Sequence, residues 1–245
     1  MTCVPTIIVT MAGTSSRFSA EGVKCPKWQL RLKGRSLLWW SLRSLACYSH
    51  ADVPFIFIAQ RAHAACPFIE RAASALRISR WQLLEIDSPT NGQATTVMTA
   101  MPLLSSRSPI GIYNIDTHVS PEHLPLPPAD CDGWIPHFSA LEGSWSYVRL
   151  NPDGVVTQVA EKLPISTHAS IGFYYFRRFE DFEEAYWSGA SDSSVERYVA
   201  PLYNDLIRRG ARILGHDVPR GAVIPLGTPA ELDVMDSGWR ELWQR

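Results

Sequence analysis

The chain predicts an α/β protein. A parallel sheet covered by helices occupies the first half, and a mixed sheet continues it in the second. Three observations predict this. Short apolar runs alternate with helix-patterned segments as far as residue 115, the order expected when crossover helices join parallel strands. From 132 to 176, strand-like runs follow one another with no helix between them. Helical spacing then returns over 193–209.

Taken in order, residues 6–11 (TIIVTM) read as a buried strand. Residues 36–48 read as a helix capped by Ser36, with Leu38, Leu42 and Leu45 marking its buried face. A second strand lies at 54–59, and 61–76 is an Ala-rich helix that Pro67 must break or kink. The third strand is 81–86, a helix runs over 93–104 up to Pro102, and the fourth strand is 110–115. Strand patterns follow at 132–138, 145–150, 155–160 and 169–176. Asn151-Pro-Asp-Gly154 is a turn, because Pro fixes φ and Gly takes the left-handed position. Over 193–209, Val195, Val199, Leu202, Leu206 and Ile207 recur at helical spacing, Pro201 kinks or splits the run, and Gly210 ends it. Thr228 and Pro229 open a short acidic helix as N-cap and first residue.

Bulk properties exclude several functions. The 245 residues, 46% of them apolar, can bury a substantial core, and no Pro-, Gly- or Ser-rich linker divides them, so one domain with two lobes is expected. A net charge of −1 without a run of one sign argues against a broad nucleic-acid face. No apolar stretch approaches the ~18 residues of a membrane span, and no leader pattern opens the chain. The five cysteines are odd in number and lack metal-ligand spacing, so reduced thiols in a cytoplasm are expected. Cys25 sits inside the anion loop, and no chemical role is expected of it.

The most informative stretch is Thr6–Lys27. A buried strand empties into Gly13-Thr-Ser-Ser-Arg17, and a Pro26-Lys27 pair follows about ten residues later. Such a turn offers backbone N–H groups to an anion, and Arg17 and Lys27 add positive charge, the layout expected for gripping a triphosphate. The loop lacks the further glycines of a dinucleotide fingerprint and the Gly-Lys-Ser/Thr of a P-loop. Thr90-Asn91-Gly92-Gln93 follows the third strand. Gly92 permits close approach and Gln93 offers a donor and an acceptor to a base edge, although a helix N-cap at Thr90 or Asn91 explains the same residues. Asp116 closes the fourth strand. If the first and fourth strands are neighbours, it faces the Gly13 loop and can hold a Mg²⁺ that bridges phosphate oxygens. Glu161-Lys162 stands at another strand end facing the same cleft, and Gly172 within a strand signals a bulge or a close contact.

The motifs MAGTSSRF…PK, TNGQATTV, IYNID, VAEK, ASIGFYYF and LGTPAEL stand in the order seen in sugar-phosphate nucleotidyltransferases. The chain resembles that family over roughly residues 5–235, most of all its short single-domain members associated with capsule and surface-polysaccharide gene sets. The resemblance implies the Rossmann-like nucleotide-diphospho-sugar transferase fold, a mixed central sheet flanked by helices. It also implies a nucleotide-binding lobe over 1–118 and an acceptor-binding lobe over 119–245. The implied reaction joins a nucleoside triphosphate to a phosphorylated acceptor and releases pyrophosphate. Ala12, Gly13, Thr14, Ser15 and Ser16 would wrap the triphosphate, Arg17 the departing pyrophosphate, and Lys27 the α-phosphate. Asn91, Gly92 and Gln93 would form the base loop, and Asp116 would bind Mg²⁺. Lys162 would hold the acceptor's phosphate, with Glu161 and Gly172 shaping its pocket. A pyrimidine base is expected, and a homodimer is left open.

Two departures stand out. Ser15 replaces a second loop glycine, and Pro225-Leu226 stands where relatives carry a second metal-binding Asp. Asp217 and Glu161 are the candidate replacements. Two further readings follow from these departures and from the open acceptor: a cytidylyltransferase for a non-sugar phosphorylated small molecule, and a degenerate nucleotide-binding regulator. A glycosyltransferase is disfavoured, since Asn114-Ile-Asp116 holds only half of an Asp-x-Asp motif. Without a β-helix extension at its end, a bifunctional enzyme of that type is not expected.

Overall fold

The computed structural model describes residues 4–140, 145–189 and 196–242. In chain order the elements are β1 (Thr6–Thr10), α1 (Ser16–Ser19), β2 (Arg31–Leu32), β3 (Arg35–Ser36), α2 (Leu37–Arg43), α3 (Ala46–His50), β4 (Phe55–Gln60), α4 (Cys66–Leu76), β5 (Trp81–Ile86), α5 (Gln93–Met98), β6 (Ile110–Asn114), β7 (Thr117–Val119), β8 (Gly133–Ser139), β9 (Ser146–Leu150), β10 (Val156–Glu161), β11 (His168–Ser170), β12 (Phe173–Phe176), α6 (Phe179–Ser188), α7 (Tyr203–Arg208), β13 (Ile213–Asp217), β14 (Val223–Pro225) and α8 (Pro229–Met235).

Ten strands form one mixed sheet, ordered β10-β9-β11-β8-β12-β6-β1-β4-β5, with β13 beside β8. The strands β5, β4, β1 and β6 are parallel. β12 joins β6 antiparallel and carries the sheet into the second half. The expected mixed α/β architecture is therefore present. Successive strand residues point to opposite faces, so Ile7 and Val9 enter one apolar cluster and Ile8 the other. Burial on both faces is why these strands read as unbroken apolar runs. A third cluster, around Phe18, Leu30, Leu37, Leu226 and Trp239, joins the first loop to α8. Three tryptophans, Trp28, Trp134 and Trp239, are core residues.

β1 and β6 are neighbours in register, Thr10 opposite Asn114. The segments after them, Gly13–Arg17 and Asp116, therefore open at the same end of the sheet.

Several expected boundaries shift. The helix read over 36–48 is two, α2 and α3, although Ser36 caps the first as expected, its Oγ accepting from Trp39 N at 3.2 Å. Pro67 does not break its helix but sits in the first turn of α4, where its missing N–H costs nothing; the break falls at Ala64, with φ 44°. The helix over 93–104 ends at Met98, and Pro102 opens a separate 3-10 turn. The strand read over 169–176 is interrupted at Ile171-Gly172, where Gly172 turns to φ 83° and packs so closely on Asn114 that a Cβ would stand 2.2 Å from its Nδ2. Of the helix read over 193–209, residues 193–195 lie outside the described residues. Residues 196–199 are not helical, and regular structure begins at Ala200. Thr228 caps α8 as expected, with Pro229 first.

Candidate active site

A cleft of about 790 Å³ opens where the two halves of the sheet meet, within the range of small-molecule sites. Its walls include Ala12–Arg17, Lys27, Gly92, Gln93, Asp116, Glu161, Lys162 and Gly172. The structure thus brings nearly all of the expected residues together. Asn91 is set back from this lining among the described residues. Its carbonyl accepts from Arg197 N at 3.1 Å and from Thr95 Oγ1 at 3.0 Å.

The first loop is built to present donors. Backbone N–H groups of Gly13, Thr14, Ser15 and Ser16 find no partner among the described residues. Arg17 is exposed on the cleft and makes no ion pair among them. Ser15 stands with φ 54° in the left-handed region, which a glycine would occupy without cost. Its hydroxyl does not crowd the loop but accepts from Lys27 N at 3.1 Å. The departure from the family pattern therefore ties the loop to the segment bearing the lysine. Next to Lys27, Trp28 is buried against Phe68, anchoring that segment in the core.

Lys27 Nζ donates to Asp116 Oδ1, joining the first loop to the end of β6. The Asp116 carbonyl accepts from Leu226 N at 2.6 Å, and Pro225 pairs with Thr117 across β14 and β7. Pro225-Leu226 thus supports Asp116 through backbone contacts and adds no carboxylate. Asp217 is no substitute. It lies on β13, largely exposed, with its carboxylate 3.8 Å from His137 Nδ1 and outside the cleft lining. Glu231, which sequence reasoning missed, is nearer. Glu231 Oε2 and Asp116 Oδ2 lie 3.5 and 3.6 Å from the point where a Cβ of residue 227 would stand. Glu231 also accepts from Gly227 N, the residue before the α8 N-cap Thr228, at 2.8 Å. Among the described residues no group of three or more His, Cys, Asp or Glu could hold a metal.

On the wall that follows β5, Gln93 Nε2 donates to Thr10 Oγ1 at 3.0 Å, and Gly92 has φ 96°. Neither Thr90 nor Asn91 caps α5; Gly92 occupies that position with no side-chain cap. Thr90 Oγ1 instead bonds Thr96 Oγ1 at 2.6 Å.

On the far wall, Glu161 accepts from Ser146 Oγ, and Tyr174 donates to the same oxygen at 3.1 Å. Burial raises the Glu161 carboxyl above its ordinary range, and burial pushes the Tyr174 phenol up to about 12. Lys162 follows with φ 56°, and its Nζ donates to Tyr198 Oη. That bond holds the ammonium above its ordinary pKa. Trp145, Ser146, Ser170, Tyr174, Glu196 and Tyr198 line this wall and were also missed. Simple register counted back from the Asn151–Gly154 turn would set Trp145 opposite Glu161, and the irregularity between Val156 and Gln158 shifts the pairing so that Ser146 stands there instead. Cys25 lies outside the cleft lining, and burial raises its thiol. It is a free thiol, as are Cys47, Cys66 and Cys131.

A parallel half-sheet with a glycine loop after its first strand, joined to a mixed half-sheet across one cleft, defines the nucleotide-diphospho-sugar transferase fold. Among solved structures, the chain is similar to the nucleoside-diphosphate-sugar pyrophosphorylase from Vibrio cholerae RC9, at 33% identity over 98% of this chain and 100% of that one, with a TM-score of 0.83. Likeness of fold alone extends to the inositol-1-phosphate CTP transferase from T. maritima, at 15% identity over 99% and 96% of the two chains and a TM-score of 0.75. It also extends to a UDP-glucose pyrophosphorylase complexed with UDP-glucose, at 14% identity over 98% and 99% and a TM-score of 0.74. No family model and no curated protein matches the chain. The whole-length identity to the V. cholerae protein decides the family: the chain belongs to the sugar-phosphate nucleotidyltransferases, the nucleoside-diphosphate-sugar pyrophosphorylases among them. No helix among the described residues is long and apolar enough to cross a membrane.

Proposed function

We propose that the cleft joins a nucleotidyl group from a pyrimidine nucleoside triphosphate (CTP, UTP or dTTP) to a sugar 1-phosphate, releasing pyrophosphate. The observation that carries this reading is the convergence of unpartnered loop N–H groups, Arg17, Lys27 and Asp116 on one wall, with Lys162 across the cleft. Residues 1–118 serve as the nucleotide lobe and 119–245 as the acceptor lobe.

The acceptor's phosphate oxygen attacks the α-phosphorus in line with the leaving pyrophosphate. That oxygen is already anionic, so no general base is required. The barrier is the approach of two anions. The Ala12–Ser16 backbone and Arg17 take up charge on the β- and γ-phosphates, and Lys27 does so at the α-phosphate, where charge develops. Gly92 and Gln93 receive the base, with Asn91 fixing their loop, and Lys162 holds the acceptor's phosphate while Glu161 and Gly172 shape its pocket. Positioning of the two substrates supplies much of the remainder.

The donor set suits magnesium. Mg²⁺ is held by one or two carboxylates together with substrate phosphates, rather than by an all-protein cage. Asp116, with Glu231 beside it, supplies that number. When bound, the ion would neutralise phosphate charge.

A non-sugar acceptor is the second reading. Glu161 and Glu196, with the rings of Trp145, Tyr174 and Tyr198, line the acceptor end and suit a phosphorylated molecule that carries a cation. We place the enzyme in the cytoplasm, with its product feeding surface-polysaccharide assembly. The test is a matrix of nucleoside triphosphates against sugar 1-phosphates and phosphorylated amines, read as pyrophosphate. Release with a sugar 1-phosphate supports the first reading, and release with amines alone supports the second. Release with none contradicts both and leaves a binding protein.

A further inference from the structure

We infer that Tyr198, together with Glu196, is a positioning residue for Lys162 and ties that lysine to the nucleotide loop. The inference rests on the assignment of Lys162 to the acceptor's phosphate.

A lysine is a point charge on a flexible stem, and something must aim it. The backbone of Lys162 is fixed by its N–H, which donates to Trp145 O at 2.9 Å. Its ammonium is aimed from another part of the chain. It donates to Tyr198 Oη, lies 4.4 Å from the centre of the Tyr198 ring, and stands 4.0 Å from Glu196 Oε2. Tyr198 in turn donates to Glu196 Oε2. The phenol therefore sits between the lysine and the carboxylate, leaving the ammonium's other protons for an incoming phosphate. All three residues line the cleft.

The segment that carries Tyr198 and Glu196 is itself clamped to the base loop. Arg197 N donates to Asn91 O at 3.1 Å, and Ala94 N donates to Arg197 O at 2.9 Å. Gly92 lets the two backbones meet, since a Cβ there would stand 2.4 Å from Arg197 O. The Arg197 side chain leaves in another direction, over the Tyr186 ring with 4.5 Å to its centre. Glu196 and Tyr198, on either side of Arg197, both reach Lys162. One short strap thus touches the base loop with its backbone and the acceptor lysine with its side chains. Displacing the base loop displaces the group that aims the lysine.

The experiment compares wild type, Tyr198→Phe, Glu196→Gln, Lys162→Ala and the Lys162→Ala/Tyr198→Phe double variant by pyrophosphate release. The acceptor is whichever of glucose, mannose or N-acetylglucosamine 1-phosphate wild type turns over fastest. Tyr198→Phe keeps the ring and removes only the hydroxyl. It is expected to raise the acceptor KM about tenfold, the scale of a hydrogen bond to a charged group, while the triphosphate KM stays within about twofold. Glu196→Gln shifts the acceptor KM in the same direction by less. The double variant is no worse than Lys162→Ala alone, because the tyrosine acts through the lysine. An unchanged acceptor KM in Tyr198→Phe, an equal rise in both KM values, or additive losses in the double variant overturns the inference while leaving the function standing. A wild-type chain that turns over none of these acceptors overturns the sugar 1-phosphate reading and this inference with it.

Discussion

Gly92→Ala separates the base loop from the rest of the structure. Gly92 has φ 96° and ψ 167°, a conformation essentially reserved for glycine, where another residue costs about 1–3 kcal/mol. The added methyl would also meet Arg197 O, N and C at 2.4, 2.5 and 2.8 Å, all of them backbone atoms that cannot rotate away. Relief requires the strap to move, which breaks the Arg197 N–Asn91 O and Ala94 N–Arg197 O bonds, worth about 0.5–1.5 kcal/mol each. The cost is about 2–6 kcal/mol in all. If the loop yields locally, its binding-competent form becomes rare and apparent affinity falls by that fraction, so nucleotide KM rises roughly 30-fold or more. If the strain is shared by the fold, Tm falls by about 2–4 °C per kcal/mol in a chain of this size. Gly154→Ala is the control. It has φ 76°, nothing within 4 Å of the added methyl, and no place in the cleft lining, so Tm drops slightly and nucleotide KM holds. Steady-state kinetics and thermal melts read both. A Gly92→Ala protein with unchanged KM and unchanged Tm refutes the packing of this loop.

Three further outcomes are expected. Gly13→Ala leaves Tm unchanged or slightly raised, because φ is not positive there and the methyl meets nothing within 4 Å; the same methyl raises the triphosphate KM, as kinetics will show. Lys27→Ala lowers kcat about 10²–10³-fold, the scale of removing one electrostatic catalytic group, while Tm changes little because Asp116 in the pair is 35% exposed and solvent screens it. His137, buried beside His168, His216 and Asp217, has its pKa lowered from 6.5 to about 4, chiefly by burial. The unfolded chain therefore takes up that proton first. Stability is fully present above pH 6.5 and is lost as pH falls toward 4, by about 3 kcal/mol from this group. Denaturant melts across that window should show His137→Gln losing less stability than wild type.

Most of the parallel half was legible because β1, β4 and β6 are buried on both faces and read as continuous apolar runs, while the edge strand β5 is only partly buried. What the sequence hid was made by contacts distant in the chain. The strand around Gly172 is broken where that residue takes φ 83° against Asn114, and the helix read through 196–199 gives way to backbone bonds with Asn91 and Ala94. β7 and β14 have only three residues each, too short for any periodicity to show. The same division holds at the cleft. The Gly13 loop, Gln93, Asp116 and Lys162 sit at strand ends and glycine turns, and Lys27 opens a 3-10 turn after Pro26, all of which leave local marks. Ser146, Tyr174, Glu196, Tyr198 and Glu231 reach the cleft only through register and packing. Ser15 is an intermediate case: the departure was visible, but not that its hydroxyl would hold Lys27.

The most direct measurement follows label from an α-³²P nucleoside triphosphate into the acceptor while pyrophosphate is counted, with and without a divalent cation. The proposed chemistry predicts equal amounts of labelled product and pyrophosphate, both abolished when the cation is chelated and both sharply reduced in Lys27→Ala. A protein that binds the triphosphate yet releases no pyrophosphate with any phosphorylated acceptor would contradict it.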